Sequence, residues 1–146
     1  MNGGPASWRA VGPRRRRPSP MPLTLHLLPG EFAACRLLPS ESVPAWVGAS
    51  GFSSITRTAD ELSIICAASF VPAGLKAERG WSLFKFQGPF EFTATGILTA
   101  VLAPLADAKV GILALSTFDT DYLLVKTSHL DDAVRALVAA GHTVHR

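Results

Sequence analysis

Cysteine is nearly absent from this chain: two residues in 146, beside a single tyrosine and a charged content of only 17%. Cys35 and Cys66 show no C-x-x-C spacing and no histidine at ligand distance in sequence, which argues against a zinc module and leaves buried thiols as the expectation. A bridge between their two strands is sterically conceivable, but a reducing cytoplasm opposes it. No stretch reaches the roughly 18 uninterrupted apolar residues of a membrane-spanning helix, so no membrane partner is expected. No Ser-His-Asp or Cys-His arrangement, nucleophile elbow, phosphate-binding glycine loop or acid/base carboxylate pair can be assembled, so the chain is expected not to be an enzyme and to use no cofactor. His142 and His145 stand three apart along an expected strand and so point to opposite faces, which is wrong for joint metal binding; no metal is expected.

Acid is missing altogether from residues 1–20, which hold Arg9 and the run Arg14, Arg15, Arg16 and Arg17. Setting those five arginines aside leaves 9 basic against 11 acidic side chains, so the formal charge of +3 belongs to this segment and the remainder is mildly acidic. A phosphate-tracking surface is not expected of such a body, and nucleic acid is an unlikely partner. Rich in Gly, Pro and Arg, residues 1–20 cannot offset their ordering entropy by burial and are expected to be a disordered tail. Met21, just before the first strand pattern, offers an alternative start of translation. An export signal is disfavoured because His26, Pro29 and Glu31 interrupt what should be an apolar stretch. A cytoplasmic location is expected.

What is present is a 48% hydrophobic content, enough for a real core in one domain or two very small ones. Leu23, Leu25 and Leu27 alternate with Thr24 and His26, and Pro29-Gly30 is expected to reverse the chain into a hairpin with residues 31–37. Residues 39–47 allow one helical turn at best, since Pro44 fits only a first turn. Residues 52–57 and 62–67 read as a second hairpin, and 72–80 as a linker. Beyond Trp81 the expected order is a strand (82–87), an amphipathic helix (95–108, kinked at Pro104), two strands (110–116 and 121–126) around a turn at 117–120, a helix opened by a Ser128/Asp131 capping box and stopped by Gly141, and a last strand at 142–145. The second half is therefore β-α-β-β-α-β, a split βαβ or ferredoxin-like unit.

The string Gly111-Ile-Leu-Ala-Leu-Ser-Thr-Phe-Asp-Thr-Asp-Tyr-Leu-Leu-Val125, with Gly88-Pro-Phe and Thr95-Gly-Ile97 before it, resembles the ACT domains of the CASTOR arginine sensors and their small bacterial relatives. The resemblance runs from Met21 to the end and is strongest from Trp81 onward. It implies an α+β fold of two tandem ferredoxin-like (ACT-like) βαββαβ units, the first one degenerate, with units at 21–80 and 81–146. It also implies an amino-acid-binding regulatory or sensor module, whose ligand-contacting Gly and Ile fall on Gly96 and Ile97 and whose anchoring Asp falls on Asp121. Where the arginine sensors carry an acid that helps hold the guanidinium, this chain has Ala94, which leaves a smaller or apolar amino acid as plausible as arginine.

The residues support the same site by a separate argument. Antiparallel neighbours in a split βαβ unit bring the start of one strand beside the end of the other, which sets Asp121 near Gly96. Free N–H groups at a helix start attract a carboxylate, while Asp121 can accept from an ammonium. Thr95, Gly96, Ile97, Ser116, Thr117 and Asp121 are the candidate ligand-binding residues for a small-molecule amino acid. The plainer alternative stays open: Thr93 or Thr95 caps the helix, and Asp119 and Asp121 are ordinary turn and edge residues. On that alternative the chain is a ligand-free structural or protein-interaction domain. Trp46, Trp81 and Phe84 are expected to pack between the two units, and the exposed terminal strands suit a homodimer or a protein partner.

Overall fold

A computed structural model describes residues 22–48 and 51–146; the arginine-rich segment 1–20, expected to be disordered, and Met21 lie outside the described residues. The architecture is mixed α+β, as expected of an ACT or ferredoxin-like fold. Strands β1 (Thr24–Leu27), β2 (Phe32–Leu37), β3 (Ser53–Arg57), β4 (Leu62–Ala67) and β5 (Ala77–Phe86) come first; helix α1 (Ile97–Asp107), β6 (Ile112–Ser116), β7 (Asp121–Lys126), α2 (Leu130–Ala139) and β8 (Thr143–His145) follow. The eight strands of the described residues share one sheet.

The organising element is β5. Trp81 opposes both Phe32 of β2 and Lys126 of β7, and Phe84 opposes both Leu27 of β1 and Leu123 of β7. Strands β1 and β2 must therefore lie end to end along one edge of β5, with β7 along the other. This corrects the hairpin expected at Pro29-Gly30. Gly30, at φ 88°, kinks the chain instead of reversing it, because ten-residue β5 offers a partner to both strands, and the Leu28 N–H continues the ladder onto Leu83 O at 2.8 Å. The expected linker 72–80 is likewise shorter, since Ala77 to Gly80 already belong to β5. The pairing shifts register between Phe32 and Ala34, opposite Gly80 at φ 81°, a bulge of the kind that a left-handed glycine makes cheap. The unit boundary expected at residue 80 thus falls inside a strand that serves both halves.

In the second half the spatial order is β8-β1-β5-β7-β6. A split βαβ unit would set β8 against β5; here β1 lies between them, parallel to β8. Leu25 explains the insertion, because it faces the helices and is fully buried with Phe84, Phe86, Val101, Leu105, Leu123, Val125 and Leu137. In the first half the face formed by Ala33, Cys35, Leu37, Leu62, Ile64 and Cys66 is covered by Val71 and by the loop residues Trp46, Val47 and Leu75. The other face carries a third cluster, with Phe32, Trp81, Leu83 and Leu124 against Phe52 and Tyr122. Trp46, Trp81 and Phe84 consequently sit in three separate clusters rather than in one seam between units. Both cysteines are free and buried, and burial pushes both thiols above their ordinary range, with Cys66 adding to the effect on Cys35.

The cap of the second helix differs from expectation. Helix α2 has His129, not Ser128, at its N-cap, with no side-chain cap bond; a 3-10 turn over Thr127–His129 leads in directly and displaces the capping box. Pro104 sits inside α1 and cannot donate to the carbonyl of Ala100. His142 repairs the loss. Its Nδ1 accepts from the Leu23 N–H at 3.1 Å, which leaves the proton on Nε2, and Nε2 donates to Ala100 O at 2.9 Å. One buried imidazole, just ahead of β8, thereby ties α1 to the start of β1.

Candidate functional site

Three segments build the candidate site: the loop 88–96, the start of α1, and the β6–β7 turn. Turn 117–120 closes on itself, with the Thr117 N–H bonded to Thr120 O at 2.8 Å and the Thr117 hydroxyl donating to the same oxygen at 3.1 Å. The loop is then stitched to the turn. The Phe90 N–H donates to Asp119 O at 2.8 Å, and the buried Thr120 hydroxyl donates to Phe86 O at 2.8 Å. Gly88 is required by this close approach, since a Cβ there would lie 3.0 Å from Asp119 O and 3.1 Å from Thr120.

Between loop, turn and helix lies a cavity of about 300 Å³. Gly96, Ile97, Ser116, Thr117 and Asp121 all line it; Thr95 does not. Neither Thr93 nor Thr95 caps the helix, because Gly96 itself is the N-cap, at φ 78°, with no side-chain cap bond and no acid in the first turn. In that left-handed region glycine is the residue without penalty. The first-turn N–H groups of α1 have no intrahelical acceptor, and residues 96–99 all border the cavity. Asp121 opens β7 opposite Ser116, and strand alternation puts it on the helix side with Leu123 and Val125, which are buried under the helices. The Ser116 hydroxyl donates to Asp121 Oδ1 at 2.5 Å, a charge-assisted bond that orients the carboxylate.

Sequence reasoning missed the apolar walls. Phe90, Phe92, Leu98 and Phe118 border the cavity, as do Glu91 and Asp119. Phe92 and Phe118 are 77% and 79% exposed and meet edge to face at 5.0 Å. Their only signal in the sequence was a bulky aromatic in a polar loop, without partners to pair it with. The arrangement offers hydrogen-bond donors on one side, an oriented carboxylate on the other and aromatic surface between. Among the described residues no group of three or more metal-ligating side chains comes together, and no helix is long and apolar enough to cross a membrane.

Comparison with known proteins gives a family and a fold. An N-terminal-domain family model matches residues 30–74, and the ACT domain model matches residues 76–139. The solved structure of the Agrobacterium tumefaciens protein Atu0741 is 44% identical, covers 86% of this chain and 97% of its own, and superposes with a TM-score of 0.80. A Vibrio cholerae protein, 18% identical, covers 81% of this chain and 89% of its own at a TM-score of 0.67. The ligand-free regulatory subunit of aspartate kinase from Thermus thermophilus, 8% identical, covers 80% of this chain and 97% of its own at 0.55. The last two show the fold alone. No curated protein matches the chain.

Proposed function

This chain belongs to the ACT-domain family, in the small form it shares with the Agrobacterium tumefaciens protein, and on that premise we propose that it is a non-enzymatic regulatory module that binds a free amino acid between Gly96 and Asp121. The observation that carries the proposal is the cavity of about 300 Å³ in which an uncapped helix start meets an oriented carboxylate. The first-turn N–H groups of α1 take the α-carboxylate, the dipole behind them adding to the attraction. Asp121 takes the α-ammonium, and the side chain lies toward Phe92, Leu98 and Phe118. The division into units at 21–80 and 81–146, the closer likeness to the CASTOR arginine sensors and a cytoplasmic location belong to the same proposal. So does a homodimer, in which a second copy covers the exposed Phe92 and Phe118.

A thermal-shift screen of free amino acids tests it. A ligand at 100 times its dissociation constant stabilises the fold by about 2.7 kcal/mol, and Asp121→Ala weakens that ligand by ~1.5–3 kcal/mol, roughly ten- to hundredfold. The exposure of Phe92 and Phe118 favours a second reading, a protein-interaction domain without a ligand, for which no amino acid shifts the melting temperature.

A further inference from the structure

On the face of the sheet turned away from the helices, three concavities run in series. The first, about 660 Å³, is walled by Leu28, Phe32, Phe52, Ala67, Ala68 and Phe70, and Glu31 is its only charged residue among the described residues. The second, about 450 Å³, shares Leu28 and Phe52 with the first and adds Lys85, Thr117 and Tyr122. The third, about 320 Å³, shares those three and ends against Pro89 and Asp119. Shared walls make them one groove, apolar at one end and polar at the other.

Alternation along the strands fixes the side of the sheet. Phe84 and Phe86 are buried under the helices, so Lys85 between them faces the groove; Tyr122, between Asp121 and Leu123, does the same. The register extends this into a row across the sheet, with His26 opposite Lys85 on one side and Tyr122 opposite it on the other. His145 lies beyond His26, the two rings stacked at 5.0 Å. Lys85 takes part in none of the ion pairs found among the described residues, and Asp119, although it borders the third concavity, is not within ion-pair distance of it. A groove that is apolar at the Phe52 end and carries, in its polar part, an unpaired ammonium beside a phenol is complementary to an anion with an apolar body.

We propose that this groove is a second ligand site, on the sheet face opposite the Gly96/Asp121 cavity and divided from it by the shared turn residues Thr117, Asp119 and Thr120, and that it takes a small amphiphilic carboxylate. The body packs on Leu28, Phe32 and Phe52, and the carboxylate accepts from Lys85 Nζ and the Tyr122 hydroxyl. The proposal does not depend on amino-acid binding at the other site.

Decanoate, kept below its micellar concentration and titrated into the full chain by calorimetry and amide NMR, tests it. Expected is saturable binding with shifts at Phe52, Lys85 and Tyr122, and decylamine at least about tenfold weaker. Lys85→Glu weakens decanoate by at least about tenfold while Lys85→Arg retains it; Lys85 is exposed, so both variants keep the fold, checked by their melting temperatures. Asp121→Ala leaves the decanoate affinity unchanged, which separates the fate of this site from that of the amino-acid site. Equal binding of decylamine, an unaltered affinity in Lys85→Glu, shifts confined to other surfaces, or no saturable binding would each overturn the proposal.

Discussion

The two halves of the molecule share one sheet but cover it differently. In the first half the inner face of β2 and β4 is roofed by loop residues, Trp46, Val47, Val71 and Leu75, while in the second the same layer is roofed by α1 and α2. A helix brings two things that a loop does not: a regular apolar stripe, and an end whose backbone N–H groups have no partner within the element. The candidate amino-acid site lies where that end meets the strand carrying Asp121, and among the described residues the first half has no α-helix to make an equivalent. The first half acts as an extension of the sheet.

Paired core deletions give the largest effect and can break this contrast. Leu105 and Leu62 are both fully buried, so Leu105→Ala and Leu62→Ala should each cost about 2–5 kcal/mol in urea denaturation. Leu105 belongs at the upper end because helices on a sheet relax poorly, and Leu62 at the lower end because loops can settle into the gap. Equal losses, or a larger loss at Leu62, would show the loop-roofed core to be as rigid as the helical one. Next comes His142. His142→Ala orphans the Leu23 N–H and leaves Ala100 O without a donor, an expected loss of about 1–3 kcal/mol, whereas His145→Ala, at an exposed position, should stay within about 0.5 kcal/mol.

At the site itself the expected effect is of similar size. Gly88→Ala places a methyl group against Asp119 O and Thr120 and must push loop and turn apart, at about 1–3 kcal/mol. Its cost should be accompanied by weakened amino-acid binding. Gly141→Ala meets open space and is strained only by its φ of 96°, costing about 1–2 kcal/mol without any effect on binding.

The second half was legible in the sequence because its elements are periodic and punctuated. The stripe of Leu98, Val101, Leu102 and Leu105, the turn at 117–120 and the stop at Gly141 each follow from local chemistry, and the pairing of β7 with β5 follows from the split βαβ order. That pairing brought Asp121 and Gly96 to one place. What failed was non-local or depended on competition. Pro29-Gly30 carries the chemistry of a reversal, yet the length of β5, invisible in a local window, made a kink the better solution. Thr95 has a capping side chain, but Gly96 in the left-handed region starts the helix one residue later. The role of His142 required knowing that Pro104 had left Ala100 O without its donor, a relation between residues 42 apart in sequence.

On the proposed function, a free amino acid binds where the uncapped start of α1 faces Asp121. The most direct test is an amide NMR titration of the full chain with the amino acid that gives the largest thermal shift, or with the full set if none does. Expected are saturating shifts concentrated at Gly96, Ile97, Leu98 and Thr99 and at Ser116 to Asp121, weakened about ten- to hundredfold in Asp121→Ala. Shifts confined to other surfaces, the same affinity in the variant, or no response to any amino acid would contradict it.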